Sequence, residues 1–184
     1  MSINFCVTLT TIPSRLKNLE ITIKSINKQT LKPNKIFLNI PYKYKRFPES
    51  SINEKDLENI KKLENVEITR CEDFGPSTKL MGALDKIKNY DCVIIVDDDH
   101  EYNELMCEIF IEEFKIKRLN YSFYLNKIFN IKMAQCADGF LINTKYLDKI
   151  EAFYERFVIK NKNMFYDDDL WFSIYLQLVK KTQI

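Results

Sequence analysis

Two runs of three aspartates carry the chemistry open to this chain. Asp97, Asp98 and Asp99 follow the apolar residues Val93 to Val96 with no turn residue between them, and Asp167, Asp168 and Asp169 stand just before Leu170 and Trp171. The residues Val93 to Val96 are all β-branched and too few for a helix. They read as a strand buried on both faces, whose carboxylates emerge at a sheet edge. Alternation along an extended chain would send Asp97 and Asp99 to one side and Asp98 to the other, so that two hard oxygen donors converge on one divalent cation. Three adjacent carboxylates repel one another without a counter-ion, and a Mg²⁺ or Mn²⁺ held there would neutralise a diphosphate as a Lewis acid. In that reading Asp99 coordinates directly, Asp97 coordinates through water or meets a ribose, and Asp98 turns toward the scaffold. The later run sits where carboxylates cap a helix and favour the positive end of its dipole. One aspartate, Asp167, suffices for the cap, which leaves Asp168 and Asp169 free to take a proton from an attacking hydroxyl as general base.

Elements that alternate between strand and helix must position these groups. Phe5 to Thr10 reads as a strand, followed by a turn at Pro13 and Ser14, with Ser14 as helix N-cap. Leu16, Leu19, Ile23 and Ile26 then give the apolar face of an amphipathic helix. Lys35 to Ile40 is a second strand stopped by Pro41, and Tyr42 to Ser51 an expected mobile loop. Glu54 to Lys62 suits a short helix and Val66 to Arg70 a third strand. Gly75-Pro76-Ser77 turns into a helix with Leu80, Leu84 and Ile87 inward. Beyond the acidic strand, Leu105, Ile109, Phe110 and Phe114 mark another helix. Lys132 to Asn143 reads as a strand interrupted at Asp138-Gly139, where backbone is expected to approach a ligand. Leu147, Ile150, Tyr154 and Phe157, then Leu170, Ile174 and Leu178, give the last two helices; Trp171 is expected to pack. This alternation implies a layered α/β domain with a largely parallel sheet, whose ligand crevice lies beyond the carboxyl ends of its strands.

A chain of 184 residues suits a single domain, taken here as 1–184, with a core large enough to need no disulfides. Its net charge of +2 comes from 28 basic and 26 acidic residues, and no long single-sign run marks a nucleic-acid or membrane-surface patch. Five scattered cysteines without a C-x-x-C pair read as reduced, buried thiols. With no basic leader and no stretch long enough to span a bilayer, the expectation is a soluble, cytoplasmic protein. Nothing here fixes the oligomeric state.

The strand-terminal D-x-D of Asp97 to Asp99, the first-strand segment Val7-Thr8-Leu9-Thr10-Thr11-Ile12-Pro13-Ser14-Arg15, the stretch Asp73-Phe74-Gly75-Pro76-Ser77-Thr78-Lys79-Leu80 and the late acidic run together resemble the family-2-like glycosyltransferases of GT-A fold. The resemblance extends from Val7 to about Leu176 and rests on the order and spacing of the motifs. It implies an α/β GT-A three-layer sandwich with a mostly parallel mixed sheet. It also implies that Thr10, Thr11 and Arg15 line the base and ribose of a nucleotide-sugar donor, that Asp73 and Lys79 lie near base or phosphates, and that Asp97 and Asp98 belong to the same donor site. Asp97 and Asp99 would hold the metal, Ala137 to Phe140 would approach sugar and acceptor, and Asp168 or Asp169 would be the base. The only histidine, His100, directly follows the acidic triplet and is not expected to supply a third metal ligand. Because the chain ends soon after its last helix, acceptor contact is expected from Tyr42 to Phe47 or from a partner, or else to be impaired.

The activity these features imply is inverting, metal-dependent transfer of a sugar from a nucleotide diphosphate donor, UDP-linked in the first instance, to a saccharide or glycan hydroxyl. One rival is a phosphohydrolase with the D-x-D as nucleophile and acid, although three strands precede the motif here and His100-Glu101 follow it. The other is a nucleotide-binding module without catalysis.

Overall fold

The computed structural model describes residues 2–184. Eight strands occur in chain order: β1 (Phe5–Thr10), β2 (Lys35–Pro41), β3 (Val66–Cys71), β4 (Cys92–Ile95), β5 (Tyr121–Ser122), β6 (Leu125–Ile128), β7 (Ile131–Ala134) and β8 (Phe140–Asn143). Seven α-helical segments accompany them: α1 (Leu16–Asn27), α2 (Thr78–Met81), α3 (Leu84–Ile87), α4 (Met106–Lys117), α5 (Ile150–Phe153), α6 (Lys162–Tyr166) and α7 (Asp168–Ile174). Six strands form one sheet in the order β3-β2-β1-β4-β8-β5, and β6 and β7 make a separate hairpin. The first four strands are parallel, with Val7 in register with Ile36 on one side and Ile94 on the other. β8 runs antiparallel to both β4 and β5.

Alternating side chains divide the interior into two cores. Val7, Leu9 and Ile94 pack with Leu19, Ile23 and Ile26 of α1 and Phe110 and Phe114 of α4, whereas Cys6, Val93 and Ile95 point the other way and pack with Leu80, Trp171, Phe172 and Tyr175. The sheet is thus covered on both faces, which is why its central strands read as continuous apolar runs. Because the chain moves outward from β1 to β2 and β3 and then returns to place β4 on the other side, the order reverses between β1 and β4. The carboxyl ends of those strands are where a ligand crevice opens in such sheets.

Several local expectations are corrected. Ser14 lies in a 3₁₀ turn (Pro13–Arg15) and α1 starts without a side-chain cap. Pro41 ends β2 from inside, paired with Cys71. The segment after it is pinned, since Tyr44 is buried and its hydroxyl donates to the Thr11 carbonyl at 3.1 Å. Lys55–Leu57 and Ile60–Lys62 are two 3₁₀ turns in place of one helix. On α4 the inward face is Met106, Cys107, Phe110, Ile111 and Phe114, with Leu105 and Ile109 exposed. The stretch 132–143 is two strands in two sheets. α7 and the π-helical turn after it bury Trp171, Phe172, Tyr175 and Leu176, while Leu178 is exposed. The aromatic residues outbid the aliphatic ones for the core because each removes more apolar surface from water.

Candidate active site

A cleft of about 220 Å³ opens at the β1–β4 reversal. Thr10, Thr11 and Arg15 reach it from the end of β1, Tyr44, Arg46 and Phe47 from the segment after β2, and Asp73 and Gly75 from the end of β3; Asp97 and Asp98 follow β4, and Lys79, Phe165, Tyr166 and Asp168 come from α2, α6 and α7. Residues far apart in sequence meet here because parallel strands all release their chains at the same rim.

Lys79 is the centre of the arrangement. Its Nζ pairs with Asp97 and lies 3.0 Å from Oδ2 of Asp168, and its side chain is almost wholly buried. Burial pulls the ammonium toward neutrality, but the carboxylates of Asp168 and Asp97 outweigh that and hold its pKa well above the ordinary lysine value. Its backbone is fixed too: the carbonyl of Lys79 accepts hydrogen bonds from the Thr8 hydroxyl and, at 3.0 Å, from Asn39 Nδ2. These two polar residues lie in the middle of buried strands, where the Thr8 hydroxyl and the Asn39 amide nitrogen each find a partner.

Arg15 forms the second cationic point. Its Nη1 is 2.9 Å from Asp98 Oδ1 and 3.2 Å from Asp99 Oδ2, and the bond to Asp98 raises its pKa further. Asp98 is buried and also accepts the Thr11 hydroxyl, so it lines the cleft with its carboxylate already engaged by Arg15 and Thr11. The alternation expected for the triplet does not hold. β4 stops at Ile95 and the backbone bends at Asp98 and Asp99, so Asp98 and Asp99 share one arginine while Asp97 goes to Lys79. Two residues hold this bend: the Thr22 hydroxyl lies 2.9 Å from the Asp98 carbonyl and 2.7 Å from that of His100, and the Tyr102 hydroxyl accepts the Asp97 N–H at 2.9 Å. Thr22 was legible as a polar residue set into the apolar face of α1, beside Ile23.

His100 contacts Asp99 through Nδ1 at 3.0 Å and stands outside the cleft. Asp73 uses its carboxylate on the backbone, accepting from Lys45 N at 2.6 Å and Gly75 N at 2.8 Å, and so ties the segment after β2 to the end of β3. Thr10 donates to the Asn39 carbonyl at 2.7 Å. Gly75 has φ +66°, and a Cβ there would stand 2.8 Å from the Phe165 ring, so only glycine lets α6 bring Phe165 and Tyr166 to the rim. Arg46 lies over the rings of Phe47 and Tyr166 at 5.3 and 5.9 Å. These aromatic and cationic walls were not assigned to the donor side from sequence.

The second acidic run divides three ways, and the two candidate bases part company. Asp167 caps α7 by accepting from Leu170 N at 3.1 Å. Asp168 faces the cleft; burial raises its pKa and Lys79 works against that rise. Asp169 does not line the cleft and instead accepts the Cys136 N–H at 3.0 Å; burial, with the neighbouring charge of Asp168, pushes it up to about 6. Cys136, Asp168 and Asp169 bring potential ligand atoms within 4.8 Å of one another. Burial keeps the Cys136 thiol protonated, well above its ordinary pKa, so this group packs as support for α7. Gly139 is also reassigned: its φ is +96° and a Cβ would meet the Phe110 ring at 2.8 Å, so the close approach there is to the core and not to a ligand. Ala137 and Asp138 line a shallower hollow with His100 and Phe123.

The four carboxylates Asp97, Asp98, Asp99 and Asp168 meet two cations, Lys79 and Arg15, an excess of two negative charges when all ionise. Hard oxygen donors with surplus charge fit Mg²⁺ or Mn²⁺. Asp97, which faces the cleft with only Lys79 on its carboxylate, is the best placed of them.

No protein-family model and no curated protein matches the chain. Solved structures do. A mannosyltransferase from Pyrobaculum calidifontis, in complex with GDP-Man and Mn²⁺, is similar at TM-score 0.62 and 11% identity over 82% of this chain and 47% of its own. TarS 1-349 from S. aureus, in complex with UDP-GlcNAc, gives 0.57 and 13% over 81% and 48%. A 4-diphosphocytidyl-2C-methyl-D-erythritol synthase from Anaerococcus prevotii gives 0.61 and 14% over 96% and 82%. The chain therefore has the GT-A fold of nucleotide-diphospho-sugar transferases, and it spans about half the length of the two glycosyltransferase structures.

Proposed function

We propose that the protein is an inverting glycosyltransferase that moves a sugar from a nucleotide diphosphate donor, UDP-linked in the first instance, to a saccharide hydroxyl. The observation that carries this reading is the buried Lys79 ammonium, paired with Asp97 on one side and Asp168 on the other at the floor of the cleft. A cation and a carboxylate side by side suit the two ends of a displacement, one for the leaving diphosphate and one for the attacking hydroxyl.

In this mechanism Arg15 and Lys79 bind the diphosphate, and Phe47 and Tyr166 with Arg46 flank the nucleoside. Asp168 accepts the proton of the acceptor hydroxyl as its oxygen attacks the anomeric carbon. The glycosidic C–O bond breaks on the opposite face, its electron pair leaves with the diphosphate, and the configuration inverts. Asp169 is assigned to positioning, since it anchors Cys136 and stays outside the cleft. A divalent cation, when held by Asp97 and Asp99, would add Lewis-acid neutralisation of the leaving group; for Asp99 that means release from Arg15.

The test is a melting-temperature panel of nucleotide sugars with and without Mn²⁺, followed by transfer assays. A selective, metal-dependent rise names the donor. Asp168→Asn is expected to keep that rise and lose transfer, and transfer at the parent rate would overturn the assignment. The fuller coverage of the synthase, 96% of this chain and 82% of its own, supports nucleotidyl transfer as a second reading. Release of pyrophosphate from a nucleoside triphosphate would select it, and turnover of a plain aryl phosphate would select the phosphohydrolase. Binding of UDP without hydrolysis or transfer under any acceptor would leave a nucleotide-binding module.

A further inference from the structure

The near balance of charge over the whole chain hides a local excess. Between Glu113 and Asp138 there are five basic residues and no acidic one, and no acidic residue follows Asp169. The hairpin of β6 and β7 lies in the first of these stretches. The end of the chain lies beside it, because the Gln177 side chain bonds the backbone of Lys132 in both directions, at 2.6 and 3.1 Å.

Several features of this region are costly for the free chain. Lys127 and Lys132 stand directly opposite each other in the antiparallel ladder, and among the described residues neither is ion-paired; like charges at such a position destabilise a hairpin. Phe129, at the tip, is 92% exposed. It also has φ +53° at the first central position of a two-residue turn, a place that favours glycine and is a true outlier for a bulky residue. Ile128 next to the tip, Tyr124 and Leu125 at the open end of the hairpin, and Leu178 and Val179 just after Gln177 leave further apolar surface uncovered.

We propose that the tip of this hairpin docks end-on on an anionic lipid bilayer surface, with Phe129 and Ile128 in the headgroup boundary and Lys127 and Lys132, one pair back from the turn, on lipid phosphates. Such a surface relieves the costs of the exposed ring and of the opposed lysines together, since aromatic and aliphatic side chains partition into the interface while basic ones bind anionic headgroups. A second copy of the chain would bring lysine against lysine. A nucleic acid would satisfy the lysines but give Ile128 nothing to bury against. The face is mechanically tied to the cleft, because β7 is bonded to α7 through Ala134 N and Ser173 Oγ at 3.0 Å and continues to Cys136, which Asp169 holds.

The experiment is flotation of the full chain with vesicles of phosphatidylcholine alone and of phosphatidylcholine mixed one to one with phosphatidylglycerol, with the melting temperature of each variant measured in parallel. Phe129→Gly and Lys127→Glu are informative because each removes a cost of the folded state and so melts at or above the parent. Both are expected to bind anionic vesicles less, Phe129→Gly by about tenfold and Lys127→Glu by about thirtyfold, with little binding of any form to phosphatidylcholine alone. Undiminished binding of both variants overturns the proposal. So does a parent that ignores vesicles and binds a DNA duplex, or one that ignores vesicles and forms a dimer lost in Phe129→Gly.

Discussion

The cleft and the hairpin treat charge in opposite ways. In the cleft the two cations nearest the acidic runs are matched: Lys79 by Asp97 and Asp168, Arg15 by Asp98 and Asp99. On the hairpin Lys127 faces Lys132 and the largest side chain points into water. A matched network stiffens what it holds, because any unpaired member would bear the full cost of desolvation. An unmatched surface stores that cost until something outside the chain removes it.

Breaking the match in the cleft gives the largest expected effect. Lys79→Met leaves two carboxylates at a buried position without their cation, and it is expected to lower stability by about 3–5 kcal/mol in urea unfolding. A loss below about 1 kcal/mol would mean that the network is solvated and the contrast false.

The next effect is on pH dependence. Asp169 is lifted from 3.8 to about 6 by burial, so the native state favours its neutral form. That contribution is complete below about pH 4 and is lost as pH rises through about 6, a decline of roughly 3 kcal/mol at most. Asp169→Asn, which stays neutral throughout, should flatten urea midpoints across that interval, and an unchanged slope would assign the decline to another group.

On the hairpin the same logic predicts gains. Phe129→Gly relieves the left-handed backbone and should raise stability by about 1 kcal/mol. Lys127→Glu, opposite Lys132, should add roughly 0.2–1 kcal/mol by turning a repulsive pair into an attractive one. Calorimetric melting resolves both, and a loss of stability in either would show that the parent hairpin is already relieved within the chain.

Much of the architecture was legible along the chain. β1, β2, β3 and β4 fall within one residue of the strands read from apolar runs, since a strand buried on both faces has a composition no helix of that length shares. The groups at the strand ends were legible too, because Thr10, Thr11, Asp73, Asp97 and Asp98 follow directly from where the apolar runs stop. The inward faces of α4 and α7 were not. Leu105 and Leu170 are as apolar as Met106 and Trp171, and periodicity gives a stripe without saying which of two adjacent stripes meets the sheet.

The sequence by itself determined an α/β chain with a parallel sheet and acidic side chains at one rim, since periodicity, strand composition and the placement of polar residues are local properties. Which carboxylate meets which cation was decided only by the tertiary structure. The bend after β4 moved Asp99 to Arg15, the packing of α2 sank Lys79 between Asp97 and Asp168, and Gly75 let α6 close the rim. Each of these depends on contacts between segments tens of residues apart, and electrostatic partners are set by distance in space and by burial, neither of which is written in the spacing along a chain.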